Sequence, residues 1–230
     1  MSITRGAMVI LGLEIGLSLV WLMSDLPTRA QLADFTLATA RNVFHDAKVW
    51  TLVTSPFLQE KFLSLLIHGF VLFMFVPTLE RFWGTPRFLR FAAITAVAGT
   101  VAGSAMGLVT GRLDAPINGL DPFINASIVA FGIVYARQPV QFFGVLPLTG
   151  RQLMYGFIAF SGLFILLQGL WELGAAYTAS MGAAAIMTSK RLSPGLAWRR
   201  WRIARARARL SVIEGGAPKK PRDKEQKWLN

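Results

Sequence analysis

Long apolar runs alternate along this chain with short charged turns, and the lengths of the runs carry the first conclusion. From Phe62 to Leu79 there is no Asp, Glu, Lys or Arg, and the run closes on Glu80, Arg81 and Gly84. Eighteen residues on a helix rise about 27 Å at 1.5 Å each, roughly the thickness of a bilayer's hydrocarbon core. The run therefore predicts a membrane span. Similar runs predict further spans near 6–23, 88–109, 119–136, 154–170 and 173–188, so the fold class is an all-α membrane protein with six transmembrane helices.

The pattern inside each run adds detail. The third run carries Gly99, Gly103 and Gly107 at intervals of four, one helical face on which a neighbour's backbone can come close. The fourth opens on the polar stretch GLDPFINAS with Pro122, which predicts a broken or late-starting helix lining a cavity, with Asn125 and Ser127 below the membrane surface. The sixth is nearly all small residues and predicts a helix packed on several sides, against the glycine face of the third or the start of the fourth. Residues 25 to 61 are too polar to span. Their spaced apolar positions predict a long first loop in the membrane interface, with Trp50 at headgroup depth. Between Arg137 and Arg151, VQFFGVLP is expected to dip into the interface.

Composition excludes an ordinary soluble domain: of 230 residues, 53% are hydrophobic and 16% charged, and the mean hydropathy is +0.48. With no cysteine, disulfides, thiolate metal sites and a cysteine nucleophile are excluded. Residues 190 to 230 hold 13 of the 24 basic and 3 of the 12 acidic residues, a net +10 against +2 for the rest. The domain reading is a membrane domain over 1–190 and a basic cytoplasmic tail over 191–230. Arg199, Arg200, Arg202, Arg205, Arg207 and Arg209, with Trp198 and Trp201, suit an anionic leaflet. No nucleic-acid module accompanies the charge, so a nucleic-acid partner is not expected. Lys and Arg cluster in alternate connections, which places both termini in the cytoplasm by the positive-inside rule, in the plasma (inner) membrane if the source is bacterial.

Two ionisable residues sit inside spans. Glu14 either belongs to a proton or ion path or hydrogen-bonds to a neighbouring helix. His68, near the middle of the second run, is costly there unless it faces protein or water, and a hydrogen bond to helix backbone or to Asn125 would satisfy it. His45 lies in the first loop, and two histidines without clustered carboxylates make no metal site; no cofactor is implied.

Trp50, Thr54, Glu80 and Gly84 fall at spacings that resemble the rhomboid family of intramembrane serine proteases. That resemblance implies a rhomboid-like bundle in which Ser127 stands at the nucleophile position within Asn125-Ala126-Ser127-Ile128. Ser180, within Ala179-Ser180-Met181-Gly182-Ala183, stands where the family has its basic histidine. Ser64 and His68 stand on the oxyanion side, and Thr51 replaces an arginine. A serine hydroxyl without a base is a poor nucleophile. The resemblance thus implies a pseudoprotease that binds transmembrane clients or membrane-protein partners without cleaving them, its polar cavity lined by Ser64, His68, Asn125, Ser127 and Ser180. Trp50, Glu80, Gly84, Gly99, Gly103 and Gly107 are read as structural. Two alternatives stay open: a protease with a rearranged dyad of Ser127 and His68, and a structural subunit of a larger membrane complex.

Overall fold

The structure, a computed structural model, describes residues 3–142 and 146–189, together with Trp198, Trp201, Arg202, Ile203 and Arg205; for 140–142, 146 and 147 only the backbone is described. The chain divides into two compact units, Met1–Ser193 and Pro194–Asn230. In order, the first unit contains α1 (Arg5–Met23), α2 (Leu26–Thr36), a π-helical turn (Arg41–His45), α3 (Thr51–Thr54) and a 3-10 turn (Ser55–Phe57). Then come α4 (Phe62–Trp83), α5 (Thr85–Thr110), α6 (Asp121–Val134), β1 (Pro139–Phe142), β2 (Leu146–Thr149), α7 (Gly150–Gln168) and α8 (Trp171–Thr188).

Among the described residues, four helices are long and apolar enough to cross a membrane: α1, α4, α5 and α7. By length and composition, four of the six expected spans meet this measure. The physical reason differs for the two that drop out. α6 has only 14 residues, about 21 Å of rise. Every residue from Pro122 to Gly132 is buried, so α6 packs against protein on all sides. α8 has 18 residues, but eight are alanine or glycine, and Glu172, Thr178, Ser180 and Thr188 lower its apolarity further. The fourth helix is also unbroken, because Pro122 falls in its first turn, where no backbone N–H is needed for the ladder. Of VQFFGVLP, 140–142 and 146–147 are described, and their backbone lies in the antiparallel strands β1 and β2, which pair Pro139 with Thr149 and Phe142 with Leu146; the rest of the stretch lies outside the described residues.

The core gathers between α4, α5 and α6, where Phe123 meets Phe88 and Phe91 edge-on at ring separations of 6.1 and 6.2 Å. The glycine face of α5 lies against the start of α6 and the backbone of α8. A Cβ on Gly99 would stand 2.6 Å from Pro122 Cβ and 3.2 Å from the Ala176 carbonyl oxygen. On Gly103 it would stand 2.6 Å from Ile117 Cγ1 and 3.0 Å from the Glu172 carbonyl oxygen, and on Gly107 3.0 Å from that of Arg112. Small-residue contacts of this kind replace the hydrophobic drive that lipid does not supply.

The first loop is ordered by local chemistry. Asp25 caps α2, accepting from the Thr28 N–H at 3.2 Å, and the hydrogen bonds from Thr28 hold its carboxyl below the usual carboxylate range. Arg29 donates to the carbonyls of Trp21 and Leu22 at the end of α1. Trp50 is half-exposed and donates from Nε1 to the Phe35 carbonyl at 2.9 Å. The loop is pinned to residues 111–120 by a bridge between Ala38 and Ile117, by the Ser55 hydroxyl donating to the Ile117 carbonyl, and by Gly119 N–H on the Ser55 carbonyl at 3.1 Å. This pinning brings Gln59 beside the start of α6.

In the second unit, Arg202 lies over the Trp198 ring at 5.1 Å and Arg205 over Trp201 at 4.6 Å, each a cation–π pair one helical turn apart. Arg199, Arg200, Arg207 and Arg209 lie outside the described residues.

Candidate functional site

Three ionisable side chains from three helices converge within the bundle. Glu14, near the middle of α1, is fully buried. His68 projects from the first third of α4 and is 4% exposed. Asp121 is the first residue of α6, with its side chain 39% exposed. His68 Nδ1 lies 2.7 Å from Glu14 Oε1, and Nε2 lies 3.0 Å from Asp121 Oδ1. Gln59 Nε2 lies 3.3 Å from Nδ1 and closes the cluster from the loop side. Gly119 makes room for this: its φ is +78°, and a Cβ there would stand 2.6 Å from Gln59 Nε2.

Proton counting constrains the cluster. Each nitrogen–carboxylate contact needs one hydrogen, and a neutral imidazole carries only one N–H. Either His68 is an imidazolium between two carboxylates, or it is neutral and one carboxyl is protonated. Both arrangements hold the two protons that the contacts require and leave a net charge of −1; a third proton, on Glu14 Oε2, would make the cluster neutral. Glu14 Oε2 remains buried with no hydrogen-bond partner among the described residues.

The cluster opens on a cavity of about 820 Å³ walled by α4, α6 and α7, with Tyr177 from α8. Its polar lining is Ser64, His68, Asp121, Asn125 and Ser161; the rest includes Phe70, Phe75, Phe157, Phe160 and Phe164. Ser161 Oγ donates to Asn125 Oδ1 at 3.1 Å, and Asn125 Nδ2 donates to the Asp121 carbonyl at 2.9 Å, which fixes the α6 side of the wall.

Several expectations change here. Of the five residues expected to line a polar cavity, Ser64, His68 and Asn125 do so, whereas Ser127 and Ser180 lie off its wall. Ser127 Oγ is buried without a partner among the described residues, and Ser180 Oγ donates to the Tyr177 carbonyl at 2.9 Å. His68 is bonded neither to Ser127 nor to Asn125, because both its nitrogens are held by carboxylates. The dyad of Ser127 and His68 is therefore not assembled. Sequence reasoning missed Asp121, Gln59 and Gly119. An Asp-Pro pair opening an apolar run was the available signal for Asp121, since it marks a helix start below the membrane surface.

Away from the cluster, Glu80 in the last turns of α4 accepts from Gly6 N–H at 2.8 Å, Ala7 N–H at 2.9 Å, Thr85 Oγ1 at 2.7 Å and the Thr4 hydroxyl. It supplies the acceptor that the first turn of α1 lacks. Gly84 ends α4 and starts α5 with φ +78° and ψ 152°, a conformation reserved for glycine.

Residues 8–189 match the model of a family described as eukaryotic integral membrane protein (DUF1751). The chain belongs to this family. No curated protein matches it. Membership of the DUF1751 family corrects the rhomboid resemblance: the family that covers most of the chain is a different one, and the short motifs at Trp50, Thr54, Glu80 and Gly84 do not outweigh it. The family's eukaryotic description also gives no support to a bacterial inner membrane.

Proposed function

We propose that this DUF1751 protein binds a transmembrane segment of a client or partner, without cleaving it, in the cleft between α4 and α7. The observation that carries this reading is the cavity of about 820 Å³ with an apolar, aromatic rim and a polar floor. Leu66, Ile67 and Phe70 on α4 and Phe160 and Phe164 on α7 are all exposed at its edge, so the entrance faces lipid rather than water. An unactivated Ser127 supports binding over hydrolysis, since a hydroxyl needs a base within hydrogen-bond reach. In this reading α6 and α8 complete a six-helix membrane domain over 1–190 as its inner helices. Glu80, Gly84 and the glycine face of α5 hold that frame. Both termini lie in the cytoplasm, with the basic tail over 191–230 on anionic lipid.

The test is site-specific photocrosslinking in native membranes from Ile67 and Phe160, with Val20 on the exposed face of α1 as control. Crosslinks from the two cleft positions that map to the membrane-spanning part of another protein, and are absent from Val20, are the expected result. Equal labelling from all three positions would remove the cleft as the binding site. One partner recovered in fixed stoichiometry would instead mark the chain as a constitutive subunit of a complex.

A further inference from the structure

We propose that the cleft selects membrane-embedded helices that carry a basic side chain, the cation being taken by Asp121. This rests on the reading of the cleft as a binding site for a transmembrane segment and names the chemistry it recognises. With the two protons that its contacts require, the Glu14–His68–Asp121 cluster carries a net −1. Neither carboxylate has a lysine or arginine partner among the described residues. An uncompensated charge at this depth is costly, and membrane proteins hold such groups where they pair with another charge.

The cluster is open on one side only. Glu14 is fully buried and off the cavity wall, and its Oε2 has no donor among the described residues. Asp121 keeps 39% of its side chain exposed and lines the cavity, so a cation arriving from the cleft meets that carboxylate first. Phe157, Phe160, Phe164 and Tyr177 stand around the same cavity, and aromatic faces attract ammonium and guanidinium groups. His68 lies six residues into α4, roughly 9 Å along the axis from its start. A lysine at similar depth in an incoming helix would therefore be level with the carboxylate, and would exchange a costly position in lipid for an ion pair.

The experiment reconstitutes the full chain in phosphatidylcholine vesicles with synthetic leucine–alanine transmembrane helices bearing a diazirine. One helix has a single lysine about 9 Å from its end, the second a glutamate in its place, and the third is wholly apolar. The lysine helix is expected to crosslink about tenfold more than the apolar one, a difference of about 1.4 kcal/mol, and the glutamate helix less than either. Asp121→Asn is expected to bring the ratio of lysine-helix to apolar-helix capture down to about one. Asp121→Glu is expected to keep the preference. Should Asp121→Asn lose the apolar helix as well, Glu14→Gln removes charge from the buried end and is expected to lower the same preference. Equal capture of the lysine and apolar helices overturns the charge selection and leaves the cleft standing; capture of none overturns both. Dodecylammonium tests the other source of the same chemistry. If it blocks labelling while the lysine helix shows no preference over the apolar one, the site takes a free amphiphilic amine and the helix-borne cation is wrong.

Discussion

Glu80 and Glu14 are both buried carboxylates within membrane helices, and the protein treats them in opposite ways. Glu80 accepts from four donors, two of them backbone N–H groups of the first turn of α1. Glu14 has His68 on one oxygen and, among the described residues, no donor on the other. A saturated carboxylate joins helices, because removing it orphans the donors it satisfied. An under-satisfied one gives the fold little and keeps a charge in a place that costs energy to hold. The contrast separates the residue that secures the bundle from the one that makes the cleft chemically distinct.

The largest effect should come from breaking the saturated site. Glu80→Ala leaves the Gly6 and Ala7 N–H groups without an acceptor, and orphaned buried donors typically cost 1–3 kcal/mol each. We expect a loss of about 3 kcal/mol in a denaturation series in detergent, with Glu80→Gln recovering part of it. An unchanged transition would mean that Thr4, Gly6 and Ala7 find other acceptors.

Next in size is His68→Leu, which removes the hydrogen-bond partner that Glu14 has among the described residues. Glu14 can take up a proton rather than remain charged, so the expected loss is about 2 kcal/mol. The sharper measurement is the double variant His68→Leu with Glu14→Leu, expected within about 1 kcal/mol of the parent protein, since replacing both partners is far less costly than removing one. A double variant as unstable as the sum of the two singles would place the two side chains in separate structural roles.

Glu14→Gln alone should change stability by less than about 1 kcal/mol and in the stabilising direction, because it removes charge while keeping an oxygen for His68. Its effect should instead fall on the capture of lysine-bearing helices. If Glu14→Gln destabilises as much as Glu80→Gln, the two carboxylates are structurally alike and the comparison fails.

Much of the frame was legible because hydrophobic run length and small-residue spacing act locally. The apolar runs mark α1, α4, α5 and α7, and the interval of four among Gly99, Gly103 and Gly107 marks a close-approach face. α6 falls short of the length and α8 of the apolarity of a lipid-facing span, because a buried inner helix needs neither. The site was half legible. An ionisable residue in an apolar run stands out, so Glu14 and His68 were visible, but their pairing across 54 positions is a tertiary fact. Asp121 was hidden by its place in a polar stretch. Reading short motifs onto another family directed His68 toward Ser127, when the geometry turns it toward carboxylates on either side.

The smallest expected effect lies outside the membrane helices. Arg41 and Asp114 form a two-point ion pair at 2.6 and 2.9 Å that ties the first loop to the 111–120 connection. The hydrogen bond from Arg41 holds the Asp114 carboxyl below its usual range, and the same bond raises Arg41. A carboxylate with a lowered folded-state pKa contributes stability above its unfolded value. That contribution fades as pH falls below about 4, through the folded value. With side-chain exposures of 53% and 71%, solvent and salt screen the pair, so its share is small. Asp114→Asn should therefore lower the melting temperature slightly at pH 7 and low salt, and the gap from the parent protein should shrink both in high salt and toward pH 3. A large gap that persists at pH 3 would show that Asp114 acts through packing of the loop, placing this exposed carboxylate beside Glu80 as a structural residue.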